Sequence, residues 1–314
     1  GYITMRSGIL TAVLLAVASA PAQAVSIQFD YSYDGGFFDD QSRRDLLQQA
    51  AGFYSSFTDD LLAISAGEND QWSVQFNNPS NVGIQVQEHN LAVSTDTITV
   101  YVGGSAMGSG VLGFGTNGTV FNVSGSSEFV DSVYTRGQEN ATGATATDFG
   151  TWGGAISFNS DVNWFWGETT DGLDASHNDF LTTATHELGH VLGYGTADSW
   201  FNLIEDNLFS GAASVAAYGG LVPVVGSAHW AEGVMSTYNG IDQETMMDPS
   251  TPNGVRQLPT VLDYAGFEDI GWQVAPVPLP GAFWLMLSGA GALFGVRGLK
   301  STGNKRRPAI QVNA

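Results

Sequence analysis

The chain has 314 residues, 43% of them hydrophobic, enough for a sizeable core in one large domain or two small ones. It has no cysteine, which excludes a disulfide scaffold and any thiol chemistry. Residues 25–275 hold all 31 acidic residues against four arginines (Arg43, Arg44, Arg136, Arg256) and no lysine, a formal charge of −27; such a surface repels nucleic acid and anionic lipid and excludes both as partners.

Met5-Arg6, an apolar run over 9–20 and the small-residue box Ala22-Gln23-Ala24 predict a secretory signal over 1–24, with residues 1–4 preceding the expected start at Met5. Alternation predicts a strand over 26–33. Asp39 or Asp40 can cap a helix that carries Leu46, Leu47, Ala50, Tyr54, Phe57 and Leu61 at helical spacing to about Ile64. Strands are expected over 72–76, 97–102 and 155–158. The glycine-rich stretch 103–118 reads as loop. The segment 151–158 is the expected sheet edge for an incoming peptide strand, and Trp164-Phe165-Trp166 reads as core packing. Asp171-Gly172-Leu173-Asp174 lacks a complete calcium-loop spacing, so the acidic surface is read as solubility. A helix capped at Asn178 or Asp179 should run to about Leu192, with Gly193 and Gly195 ending it in a left-handed turn. Strands and helices mix without regular βαβ alternation, so the expected class is α+β.

That last helix carries His186-Glu187-Leu188-Gly189-His190. Residues four apart share a helix face, so His186 and His190 can offer nitrogens to one metal ion. Glu187 beside them can take a proton from water. This is the HExxH pattern of zinc peptidases. A catalytic zinc takes three protein ligands and a water. Gly193 extends the pattern to HExxHxxG, and Thr196 stands where a third histidine is usual at short spacing. The remaining candidates are Asp198, Glu205 and His229; His89 lies far upstream and His177 precedes the helix.

The order HExxHxxG, a long insertion, His229-Trp230, a Met before Asp248-Pro249 and a final segment over 262–272 resembles the leishmanolysin-like branch of the metzincin peptidases. The resemblance covers about 158–272. It implies a zincin-like fold over 25–275, with an N-terminal mixed sheet, an active-site helix and a smaller C-terminal subdomain. It implies Zn²⁺ held by His186, His190 and His229, with Glu187 as general base. It places Met247 in the turn under the metal, ahead of Met246 and Met235. Tyr238 and Tyr264 are candidates for an assisting tyrosine.

The C-terminal segment 276–314 opens with Val277-Pro278-Leu279-Pro280, continues through an apolar run over 281–296 and ends in the basic cluster 297–307. This three-part order resembles the PEP-CTERM sorting signals of Gram-negative bacteria. It implies transient inner-membrane attachment, removal by a sorting enzyme and a final place at the cell surface or outside the cell. A plain membrane anchor is the alternative. The expected function is an exported zinc-dependent endopeptidase acting on protein or peptide substrates. The alternatives are a non-catalytic zincin-fold surface or biofilm-matrix protein and a metal-dependent hydrolase of a non-peptide bond.

Overall fold

β1 (Ser26–Asp30) leads through a turn to α1 (Gln41–Gly52), whose N-cap Asp40 accepts from the Ser42 amide. The chain then forms β2 (Gln71–Asn78), β3 (Asn81–His89), β4 (Thr97–Ser105), β5 (Gly113–Asn117), β6 (Thr119–Ser124) and α2 (Ser127–Thr135). β7 (Gly153–Asn159) and the short β8 (Trp164–Phe165) and β9 (Asn178–Asp179) precede α3 (Phe180–Val191). Beyond it come α4 (Asp198–Phe201), β10 (Ile204–Glu205), β11 (Leu208–Phe209), α5 (Ala212–Tyr218), β12 (Val222–Val225) and β13 (His229–Trp230). The hairpin β14 (Met235–Tyr238) and β15 (Ile241–Glu244) and the helix α6 (Val261–Asp269) close the order. This computed structural model describes residues 24–275. The expected signal up to residue 23 and the sorting segment from 276 lie outside the described residues.

The central sheet has the order β1-β4-β7-β5, with β1, β4 and β7 parallel and β5 antiparallel at its edge. Strand alternation divides its side chains between two cores. Ile98, Val100 and Val102 of β4, with Ile156 and Phe158 of β7, face the larger core with Leu46, Leu47, Leu188 and Phe267 from the helices. Tyr101 and Ala155 face the smaller core with Trp72, Val74 and Phe76 of the second sheet, β3-β2-β6, and Phe129 and Val133 of α2. Segments after α3 pack on the larger core too: Phe209, Val222 and Trp230 of the sheet β10-β11-β12-β13 belong to it. The class is α+β, as expected.

Three expectations are corrected. Leu46 to Leu61 are buried as the spacing requires, yet α1 ends at Gly52. Turns over 53–56 follow, and the chain is then held by the bridges Phe57 to Val274 and Ile64 to Val93, so turns and tertiary pairing replace helix while the same side chains stay inside. The stretch 103–118 is loop only over 106–112 and at 118: β4 runs to Ser105 and β5 spans Gly113–Asn117. Its glycines mark close approach: a Cβ on Gly104 would lie 2.3 Å from the Phe37 ring, and one on Gly115 would lie 2.4 Å from the Glu187 carbonyl oxygen. The segment 151–158 contributes to β7, which lies between β4 and β5 and is buried throughout, so it is not the edge. Trp164 and Trp166 pack against Phe180, as core residues do.

Gly113 and Gly115 lie two apart on β5 and face α3 together. Gly115→Ala forces a methyl into helix backbone and should cost about 1–3 kcal/mol of stability. Gly52→Ala, with nothing near its Cβ position, should be neutral or stabilise by up to about 1 kcal/mol. Denaturant unfolding of the two variants checks the contrast.

Candidate metal centre

Asp179 starts α3: its carboxylate accepts from the Thr182 amide and hydroxyl. It also takes both arms of Arg256, at 2.7 and 2.9 Å, which anchors the helix start to a distant segment. Gly193 (φ +105°) and Gly195 (φ +69°) are left-handed, as expected of the turn after the helix. A Cβ on Gly195 would lie 2.6 Å from the Ala228 backbone, so the turn brings residue 228 against it. His229 follows in β13. Trp230 is fully buried among Tyr194, Trp200 and Phe209. Alternation then turns His229 to the opposite side, toward α3.

His190 Nε2 lies 3.1 Å from His186 Nε2 and 3.1 Å from His229 Nε2. His186 Nδ1 lies 2.8 Å from the Met246 carbonyl oxygen, and His190 Nδ1 lies 2.7 Å from that of Tyr194. A carbonyl can only accept, so each Nδ1 carries the hydrogen and each Nε2 presents a lone pair. Burial pushes the pKa of all three rings down, helped at His186 and His229 by the neighbouring rings; His229 falls to about 4. The rings are therefore neutral at pH 7. Lone pairs facing one another across 3.1 Å repel unless a cation lies between them. Tetrahedral zinc with bonds of about 2.0–2.1 Å places neighbouring nitrogens about 3.3–3.4 Å apart, so the donor set and its spacing fit that ion.

Glu187 is 6% exposed. Burial pushes its carboxyl up to about 8, against the opposing Gly115 amide. It borders a cleft of about 1010 Å³ that also contains His186, His190 and His229, with β5 along one side and the 248–253 segment along another. Beneath the helix, a Cβ on Gly189 would lie 2.7 Å from Met247 Sδ, so Met247 packs against the helix between the two histidines. Met246 and Met247 are both fully buried; Met235 is 51% exposed on β14.

Other candidates lie elsewhere. Asp198 begins α4 and accepts from the Gly143 amide at 2.6 Å. Glu205 is exposed on β10. His89 bonds Ser73, and His177 pairs with Asp174 at 2.9 Å. Asp174 is exposed and accepts from Ser176 and His177, which hold its carboxyl down at about 2. Tyr264 donates to the Phe53 carbonyl, and Tyr238 ends β14 outside the cleft lining. Glu232, Glu244 and Asp248 form a second convergent group among the described residues. Burial, then Glu244, pushes Asp248 up to about 7.

Sequence reading missed Asp263. Fully buried on α6, it accepts from the Met246 and Met247 amides at 3.0 and 3.2 Å and closes a capping box with Thr260. Its signal was legible as Thr260-x-x-Asp263 before an apolar run. Through Met246 it fixes the carbonyl that orients His186. No protein-family model, curated protein or solved structure matches the chain.

Asp263→Asn presents an NH₂ group where only acceptors fit. It should cost about 1–3 kcal/mol of stability and weaken metal binding about 10–100-fold. Competitive chelator titration and denaturant unfolding read the two effects.

Proposed function

We propose that the chain is a zinc-dependent endopeptidase of the metzincin kind. The observation that carries this reading is the convergence of three Nε2 atoms, two of them fixed as lone-pair donors, beside Glu187 in one cleft. His186, His190 and His229 would hold the ion. Bound there, zinc supplies a Lewis acid that makes water acidic near pH 7 and polarises a carbonyl. Glu187 accepts the proton of the attacking water and passes it to the departing amine. That exchange needs a base shielded from bulk solvent, and Glu187 is one. A purely structural zinc site has no use for such a group, which favours the peptidase over a non-catalytic zincin.

β5 is the sheet edge beside Glu187. A peptide strand pairing with it would lie along the cleft with its carbonyls near the histidines. β5, in place of 151–158, is therefore the edge assigned to substrate in this reading. The expected signal and sorting segments support a place outside the cytoplasm, with passing attachment to the inner membrane.

The full chain should retain about one zinc per molecule. Glu187→Gln should keep the metal and lose about 10²–10⁴-fold in peptide cleavage. His229→Ala should lose metal and Asp198→Ala should not. Elemental analysis and a chelator-sensitive casein digest check these outcomes. Unchanged cleavage in Glu187→Gln would sink the mechanism, and metal loss in Asp198→Ala alone would reassign the third ligand.

A further inference from the structure

We propose that Asn159 is a positioning residue, which holds the loop 106–112 as a fixed wall of the cleft against which a peptide is seated. The inference rests on the peptidase reading and adds the residue that shapes its substrate wall. β4 and β5 flank β7 in the central sheet. β4 ends with Ser105 beside Asn159, and β5 begins with Gly113 beside Phe158. The loop that joins them therefore crosses the C-terminal end of β7, and Asn159 is the last residue of that strand. It is fully buried and does not itself line the cleft. Its Nδ2 donates to the carbonyls of Gly108 and Val111, both at 2.6 Å. Its Oδ1 accepts from the amides of Met107 at 3.2 Å and Asp161 at 2.9 Å. Its backbone amide donates to the Leu112 carbonyl at 2.9 Å, and its carbonyl accepts from Trp164 Nε1 at 2.8 Å. One planar amide thus ties both ends of the loop. The task takes two donors on one atom and an acceptor on the other, which asparagine supplies and leucine or aspartate does not.

The loop has little else to hold it. Residues 108–111 are exposed. Gly108 (φ +72°) and Gly110 (φ +92°) are left-handed, with nothing within 4 Å of a Cβ on either. The Asp161 carboxylate accepts from the Gly108 amide at 3.2 Å, and Asp161 is in turn held by Asn159. Residues 108–112 nevertheless line the cleft together with the three histidines and Glu187. The loop runs directly into Gly113, where a Cβ would lie 2.7 Å from Glu187 Oε1. Its placement therefore sets how the β5 edge begins beside the general base. A loop held beforehand loses no freedom when peptide binds, whereas a loose one weakens binding by the cost of ordering it.

The test uses the zinc-loaded full chain and a fluorogenic casein peptide. Asn159→Asp sets an acceptor against the Gly108 and Val111 carbonyls. It should raise KM about tenfold and change kcat by less than about threefold. Hydrogen exchange over 106–112 should quicken about tenfold while α3 exchanges as in the native chain. A merely structural role predicts a smaller active fraction, which lowers kcat and leaves KM alone. Unchanged KM, or unchanged exchange over 106–112, overturns the inference. If Asn159→Asp does not fold, Gly108→Ala and Gly110→Ala strain the same loop from its solvent side and should raise KM about threefold or more; unchanged KM in both overturns it. If the native chain cuts no peptide, the peptidase reading fails, and fluorescence anisotropy of the labelled peptide decides the rest. Binding about tenfold weaker in Asn159→Asp upholds the role of the loop. Equal binding, or none to either chain, overturns it.

Discussion

The Nδ1–H groups of His186 and His190 donate to the carbonyl oxygens of Met246 and Tyr194. A neutral imidazole has one lone pair, and these bonds place it on Nε2 in both rings. With His229 Nε2 added, three ring nitrogens meet within a space that suits one cation. The two carbonyls come from different places. Tyr194 lies in the glycine turn after α3, four residues past His190. Met246 lies 60 residues past His186 and is held by Asp263 from α6. The centre thus depends on how the C-terminal segments dock under the helix as much as on the helix itself.

Docking on the other side depends on absent side chains. Gly113 and Gly115 let β5 lie against the backbone of α3, which puts the sheet edge beside Glu187. Larger residues there would push the edge away from the carboxylate. The same closeness buries Glu187 and raises its proton affinity. A bound zinc ion would oppose that rise, leaving a base able both to take and to return a proton. Packing, edge position and proton chemistry are therefore set by one glycine-lined face.

The helix α3 was legible because its signals are local: a cap at Asn178 or Asp179, histidines four apart, glycines at 193 and 195 for a left-handed turn. Burial of Leu46, Tyr54, Phe57 and Leu61 was legible from spacing, but the end of α1 was not, since the pairing of Phe57 with Val274 involves residues more than 200 positions apart. Within 103–118 the loop over 106–112 was legible, but β5 was not, because glycine signals both loops and strands in tight contact, and the helix that makes the contact is about 70 residues away. The position of 151–158 inside the sheet depends on β5 adding beyond it, and β5 was hidden in that same stretch. His229 was reached through resemblance to a known order of motifs; its local sequence says only that a histidine precedes a tryptophan. The buried Trp230 and the turn at Gly195 explain why that histidine faces the helix.

X-ray absorption at the zinc edge of the metal-loaded full chain tests the central claim most directly. The account predicts three imidazole nitrogens and one oxygen at about 2.0–2.1 Å, with one imidazole lost in His229→Ala. A shell with two imidazoles in the native chain, or one unchanged by His229→Ala, would contradict it.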